Sequence, residues 1–250
     1  MTMAPDAHWP YPRWIAHRGA GKLAPENTLA AFRLGAAQGY RMFECDVKLS
    51  ADGVPFLLHD AGLERTTNGL GVAGEHTWAA LSRLDAGSWH SRQYAGEPLP
   101  TFDGVARWCR ANGHDLNVEI KPTPGTGRET GAKVAEAAAR LWAGSARAPL
   151  LTSFDLDALA AARHQAASLP RGLLLDQARV DWLDLARELG CAAVVLNHRL
   201  WDTDSRGAAR AAGLRALAYT VNDDEDVDRL LALGLDGLIT DRVDRFAPGP

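Results

Sequence analysis

Short apolar runs alternate with alanine-rich amphipathic stretches along nearly the whole chain, and this alternation is the tightest constraint on its fold. The pattern predicts strands at Trp14–Ala16, Met42–Val47, Val54–Leu58, Leu116–Ile120, Leu150–Phe154, Gly172–Leu175, Ala193–Leu196, Arg215–Val221 and Gly237–Ile239. Helical periodicity falls between many of them, over Thr28–Gln38, Asp103–Asn112, Arg128–Trp142, Asp155–Ala166, Val180–Leu189, Thr203–Ala212 and Asp224–Leu233. Gly39, Gly113, Gly190, Gly213 and Gly234 each follow a helical run, where a left-handed C-cap favours glycine. Repeated strand–helix units imply a parallel sheet. Seven or eight such units within 250 residues favour a single (β/α)8 barrel domain over the whole chain. An open doubly wound sheet is the alternative. It usually carries a glycine-rich phosphate turn after its first strand, and no G-x-G-x-x-G follows Trp14–Ala16.

Nine candidate strands compete for eight barrel places. Met42–Val47 and Val54–Leu58 are joined by only Lys48-Leu-Ser-Ala-Asp52-Gly53. That link is too short for a parallel crossover, and Asp-Gly between apolar runs signals a hairpin. With Asp52 and Gly53 as a two-residue turn, Asp46 is expected to face His59. The following stretch, Leu63–Pro100, is glycine-rich, lacks a long helical period, and holds Trp78, Trp89 and Tyr94. It reads as a small insertion, about residues 63–100, rather than a second domain.

Composition excludes several classes. Hydrophobic residues at 46% and charged residues at 23% are ordinary globular usage, so disorder is not the main state. A formal charge of 27 − 31 = −4 argues against a nucleic-acid binder with a broad basic surface. Cys45, Cys109 and Cys191 are odd in number and widely spaced, which fits a reducing compartment and a cytoplasmic location. Met1–Trp14 has no apolar h-region, so no secretory signal is expected. No run of about 18 apolar residues is present, so no transmembrane segment is expected.

Polar residues mark the ends of several strands, where a barrel builds its active site. His17-Arg18-Gly19 follows the first. Glu44-Cys45-Asp46 lies within the second, and residues two apart in a strand share a face. Two carboxylates so close repel unless a cation or proton lies between them, and a hard divalent ion with oxygen ligands is the natural occupant. His59-Asp60 follows the hairpin, with Asp60 placed to orient a neighbour. Glu119-Ile120-Lys121 again puts two residues on one face, a third carboxylate and a fixed positive charge. Each group alone could be structural; four successive strand ends together point to chemistry. His8, His76, His90, His114, His164 and His198 have no such partners and read as structural.

These residues resemble the glycerophosphodiester phosphodiesterase family. The resemblance rests on His17-Arg18-Gly19, Pro25-Glu26-Asn27-Thr28, Glu44-x-Asp46, His59-Asp60 and Glu119-Ile120-Lys121. It continues through Thr66-Thr67-Asn68-Gly69, Leu99-Pro100-Thr101, Thr152-Ser153-Phe154, Thr220-Val221-Asn222 and Asp236–Asp241, so it covers about residues 14–246. The insertion resembles the family's own. Tyr219 departs from the tryptophan the resemblance leads one to expect, which bears on head-group preference.

The resemblance implies metal-dependent hydrolysis of glycerophosphodiesters to sn-glycerol 3-phosphate and an alcohol. Glu44, Asp46 and Glu119 are the expected ligands of one divalent ion, Mg²⁺ first and Ca²⁺ second, acting as Lewis acid and template. Arg18 and Lys121 are expected at the phosphate. His17 and His59 form the acid–base pair, with the assignment of acid and base open, and with water or the neighbouring glycerol hydroxyl as nucleophile. Glu26 and Asn27 are expected to fix the first loop, Phe154 and Tyr219 to wall the pocket, and Asn222 to hydrogen-bond nearby. The expected partner is a small-molecule substrate; oligomeric state is left open. Two alternatives stand beside this one. A phospholipase-type enzyme would need a lipid-docking surface, for which Trp9, Tyr11 and Trp14 offer a weak hint. A non-catalytic binding barrel would have no reason to keep both histidines and all three carboxylates.

Overall fold

The computed structural model describes residues 9–246. The reading of His8, and most of that of Met1–Trp14, falls outside the described residues. In chain order the strands are β1 (Trp14–Ala16), β2 (Met42–Leu49), β3 (Pro55–Leu57), β4 (Asp115–Ile120), β5 (Leu150–Ser153), β6 (Arg171–Leu175), β7 (Ala193–Asn197), β8 (Arg215–Tyr219) and β9 (Gly237–Thr240). All but β3 are parallel, and β1 pairs with both β2 and β9, which closes an eight-stranded barrel. The helices are α1 (Leu29–Ala37), α2 (Trp78–Leu81), α3 (Phe102–Ala111), α4 (Gly127–Leu141), α5 (Leu156–Gln165), α6 (Trp182–Glu188), α7 (Thr203–Ala211) and α8 (Asp224–Ala232). All except α2 lie between successive parallel strands, so the expected (β/α)8 architecture is the observed one. No helix of the described residues is long and apolar enough to cross a membrane.

Local chemistry starts several of these helices. The side chains of Thr28, Thr101 and Asp155 accept hydrogen bonds from Ala31, Gly104 and Ala158 amides, satisfying donors that a helix N-terminus leaves free. Asp202 and Ser205 form a reciprocal capping box at the start of α7.

Alternation along the strands separates two cores. Phe43, Cys45 and Val47 of β2 face outward into a layer shared with α3 and α4. Met42 faces inward, among Ile15, Leu150, Leu174, Val195, Leu217 and Ile239 from the other strands. Trp9 and Tyr11 close the floor of that inner cluster. Their rings are 4.7 Å apart, and the Tyr11 hydroxyl donates to the Ala148 carbonyl at 2.8 Å. Trp14 stacks on Phe246 at 5.3 Å. The aromatics near the start of the chain are thus committed to packing, which removes the hint of a lipid-docking surface.

The hairpin forms, but its register differs from the expectation by one residue. Val47 pairs with Leu57 and Leu49 with Pro55, and the Leu58 amide donates to the Asp46 carbonyl. Asp46 therefore lies across from Leu58, not His59. The cause is a three-residue loop, Ala51-Asp52-Gly53. The Gly53 amide closes a turn on the Ser50 carbonyl at 2.9 Å, and Gly53 takes the left-handed conformation at φ +77°. A turn followed by a left-handed glycine is the usual three-residue hairpin. Asp52 is held there by the Ser50 hydroxyl and the Trp78 amide. The shift has a packing result: Leu57 joins Val47 in the outer core. Phe56 and Leu58 turn the other way, into a small apolar cluster with Leu63, Ala73, Leu81, Ala86 and Leu99 from the stretch between β3 and α3.

The first loop is pressed against the end of β9. Gly21 has φ +57°, and a Cβ there would lie 2.1 Å from the Asp241 carbonyl oxygen. Gly21→Ala should therefore destabilise the protein by at least about 2 kcal/mol and disturb the loop that carries His17. Thermal unfolding of the variant checks this, and an unchanged midpoint would contradict the packing described.

Candidate active site

Strand register delivers three carboxylates to one place. In the β2–β4 pair, Glu44 lies beside Asn117 and Asp46 beside Glu119. Side chains at 44, 46, 117 and 119 share the inward face. Glu44, Asp46 and Glu119 each offer a carboxylate oxygen, and these three atoms lie within 4.8 Å of one another in a buried group. Glu44 Oε1 and Asp46 Oδ1 are buried without a hydrogen-bond partner. Glu119 Oε1 has the Lys121 ammonium at 2.8 Å as an ion pair. Buried acceptors without donors are costly, and an oxygen-seeking divalent cation would satisfy Glu44 Oε1 and Asp46 Oδ1 while also drawing on Glu119. The donor set thus fits such an ion.

Neighbouring strands supply the surrounding groups. β1 pairs with β2 at Ala16–Phe43 and with β9 at Ala16–Thr240, so His17 emerges between Glu44 and Asp241. Its Nε2 is 3.8 Å from Glu44 Oε2, and its Nδ1 is 2.7 Å from Asp241 Oδ1. Asn222 donates to Asp241 Oδ2 and accepts from the Asp241 amide. Burial opposes ionisation of Asp241, yet the His17 ring and Asn222 hold its carboxyl down at about 2. An ionised carboxylate can only accept, so His17 Nδ1 carries the proton and Nε2 faces the carboxylate group. His59 repeats the arrangement: its Nδ1 lies 2.6 Å from Asp60 Oδ1. Asp60 is in turn gripped by Arg65, whose hydrogen bonds are the main reason its carboxyl lies far below the usual range.

Arg18 and Asn27 both adopt positive φ, +50° and +59°, uncommon for residues with a side chain. The strain is matched by dense bonding. The Arg18 amide donates to Glu44 Oε2, and its guanidinium binds Glu26 at 2.7 Å and approaches Asp46 Oδ2 at 3.3 Å. Asn27 donates to Asp46 Oδ2 and accepts from the Asp46 amide, and its own amide donates to the Arg18 carbonyl. Asn27 thus ties the first loop to β2, and Glu26 braces that loop through Arg18.

Lys121 lies 3.7 Å from Asp46 as well as beside Glu119, and its ammonium is 5.5 Å from the Phe154 ring centroid. Phe154 meets Tyr219 edge-on at 5.8 Å. The Tyr219 hydroxyl donates to Asp176 at 3.3 Å. A cavity of about 520 Å³ opens beside the carboxylates, lined among others by Lys48, His59, Glu119, Lys121 and Phe154. His114 and His198, read as structural, pack against Phe43 and Trp108 and pair with Asp226, respectively. The three cysteines are free, and Cys45 is buried on the face opposite Glu44 and Asp46.

Three participants were not assigned from sequence. Asp241 and Arg65 depend on tertiary pairing. Lys48 was legible in principle, because period-two alternation puts it on the face of Glu44 and Asp46. Its side chain is buried and donates to the Lys121 carbonyl at 3.0 Å, and burial lowers its pKa to about 8.

Burial and mutual repulsion push Glu44 well above the usual carboxylate range and Glu119 up to about 7. Asp46 is held low by Arg18 and Lys121 despite its burial. Without a cation, then, Glu119 keeps its proton in the folded chain where the unfolded chain has lost it. The stability tied to that proton is complete below about pH 4.5 and is lost as pH rises to about 7. Metal-free protein should show this decline relative to Glu119→Gln, and saturating divalent ion should abolish it, since ligation requires the ionised form. Unfolding midpoints across pH 4–8, with and without Mg²⁺, check this; a metal-free curve parallel to that of the variant would refute it.

Known proteins resemble the chain over nearly all of its length. Residues 17–245 match the model of the glycerophosphoryl diester phosphodiesterase family. A Caldanaerobacter subterraneus protein named glycerophosphodiester phosphodiesterase is 30% identical over 231 residues, covering 91% of this chain and 93% of its own. Among solved structures, an Oleispira antarctica phosphodiesterase in complex with its product sn-glycerol-3-phosphate has a TM-score of 0.88 at 35% identity, covering 92% of this chain and 93% of that one. A glycerophosphodiester phosphodiesterase from Agrobacterium tumefaciens str. C58 has a TM-score of 0.77 at 30% identity, covering 94% and 99%. On the match of the family model across nearly all of its length, the chain belongs to the glycerophosphoryl diester phosphodiesterase family.

Proposed function

We propose that the chain hydrolyses glycerophosphodiesters to sn-glycerol 3-phosphate and an alcohol. The observation that carries this reading is the buried Glu44–Asp46–Glu119 group with two histidines beside it, each anchored through Nδ1 by its own carboxylate. The three carboxylates would hold one divalent ion, which supplies Lewis-acid stabilisation of charge on the phosphate oxygens. Mg²⁺ is the proposed ion and Ca²⁺ the second choice, on the all-oxygen donor set.

The chain's own groups do the rest. Arg18 and Lys121 lie on opposite sides of Asp46, and they place positive charge where it builds up on a bound phosphate. Asp241 and Asp60 fix the tautomers of His17 and His59, so that each Nε2 is free to take or give a proton. One ring deprotonates the attacking hydroxyl or water and the other protonates the leaving alkoxide. Burial lowers the pKa of His59, against the pull of Asp46, so its ring is neutral and able to accept a proton near neutral pH. Phe154 lines the pocket, and Tyr219 meets it edge-on from behind the lining. Free cysteines support a cytoplasmic setting.

Release of sn-glycerol 3-phosphate from glycerophosphocholine, with Mg²⁺ and with EDTA, tests the activity; no release under either condition would sink it. His17→Ala and His59→Ala should each lose about 10²–10⁴-fold in kcat with little change in Mg²⁺ affinity. A p-nitrophenyl diester, whose leaving group needs no acid, should rescue one variant and not the other. Near-normal kcat in both variants would remove the two histidines from the mechanism. Asp241→Asn should depress kcat by at least about 10²-fold through the wrong His17 tautomer, a loss that normal turnover would contradict.

A further inference from the structure

Arg65 lies at the start of the insertion, outside the group of carboxylates and histidines, and yet it joins two carboxylates that brace that group. Nη1 and Nη2 donate to Glu26 Oε2 and Oε1, each at 2.8 Å. Nε and Nη2 donate to Asp60 Oδ2 and Oδ1 at 2.6 and 3.0 Å. Glu26 Oε1 also accepts from Arg18, and Asp60 Oδ1 faces His59 Nδ1. A continuous chain therefore runs His59–Asp60–Arg65–Glu26–Arg18. It spans the strand ends that carry the proposed proton-transfer and phosphate groups.

We infer that Arg65 is a positioning residue that sets the orientation of His59 and Arg18 together. Its own position is well fixed. Leu63 and Thr66 are buried on either side, and Thr67 bonds back to the Leu63 carbonyl through both its amide and its hydroxyl. The Arg65 side chain itself is 45% exposed and that of Asp60 is 31% exposed. Ion pairs this open to solvent add little to stability. Their value here is geometric: two bidentate forks from one planar group fix both carboxylates in direction as well as distance. Without the guanidinium, Asp60 is free to turn into solvent and release the His59 ring. Glu26 would then hold Arg18 alone, while Asp46 competes for it at 3.3 Å. The inference rests on the proposed roles of His59 and Arg18.

Steady-state kinetics on glycerophosphocholine with Mg²⁺ test it. Arg65→Ala should lose about 10–100-fold in kcat, the range typical of groups that orient a functional side chain, with its unfolding midpoint near that of the parent. Arg65→Lys should recover little, because an ammonium cannot form either fork. Guanidinium ion at tens of millimolar should restore part of the Arg65→Ala activity, and NaCl at matched ionic strength should not. Added to His59→Ala, the Arg65→Ala change should cost less than it does alone, because one of its two targets is gone. Three results would each overturn the inference: kcat of Arg65→Ala within about twofold of the parent, full activity in Arg65→Lys, or an undiminished loss in the His59→Ala background. Normal kcat in His59→Ala and Arg18→Ala would instead overturn the roles of those residues, and this inference with them.

Discussion

Three carboxylates held within 4.8 Å of one another in a buried site cannot all be charged without help, and much of the barrel mouth is organised around that fact. Arg18 and Lys121 bracket Asp46 from two sides. Asn27 and the Arg18 amide donate into Asp46 and Glu44. Those donors stabilise one ionised carboxylate and leave the buried Glu44 Oε1 and Asp46 Oδ1 without a hydrogen bond. The backbone strain at Arg18 and Asn27 belongs to the same arrangement. Left-handed residues in the first loop aim an amide and a side chain at β2 that an ordinary turn would point elsewhere.

How much of this was legible follows from the range of each interaction. Glu44, Asp46 and Glu119 were readable because strand alternation is a local rule: two residues apart means the same face. The barrel was readable because many strand–helix units repeat one signal, and errors at single boundaries do not change the count much. The hairpin register was misread because Asp-Gly suits both a two-residue and a three-residue loop. The choice was made by Gly53 taking the left-handed position and by the Trp78 amide holding Asp52. The second of these is a tertiary contact. Asp241 could not be paired with His17 from sequence, because 224 residues separate them and only barrel closure brings β9 beside β1. Arg65 was hidden for a related reason: an arginine in a glycine-rich insertion looks like solvated surface until Glu26, 39 positions away, is found beneath it.

The insertion is thereby more than an outgrowth of the barrel. Its apolar cluster takes Phe56 and Leu58 from the hairpin, so the hairpin that leads into His59 and the insertion share one packing unit. At the other end of the molecule, Trp9 and Tyr11 occupy the barrel floor. The inner space is therefore filled from below by these rings, at the end opposite the polar residues.

The pairing of His17 with Asp241 joins the first barrel strand to the last. During synthesis a nascent chain can present His17, Arg18, Glu44, Asp46, His59, Glu119 and Lys121 long before β9 has left the ribosome. Through that interval the His17 ring has no anchor, and the gap between β1 and β8 is an open sheet edge. The residues that define the site therefore leave the ribosome in two groups. Charge comes first, and the orientation of one ring comes only with the final strand. A translation product that stops short of Gly237 would carry every carboxylate of the site and still lack the contact that fixes its first histidine.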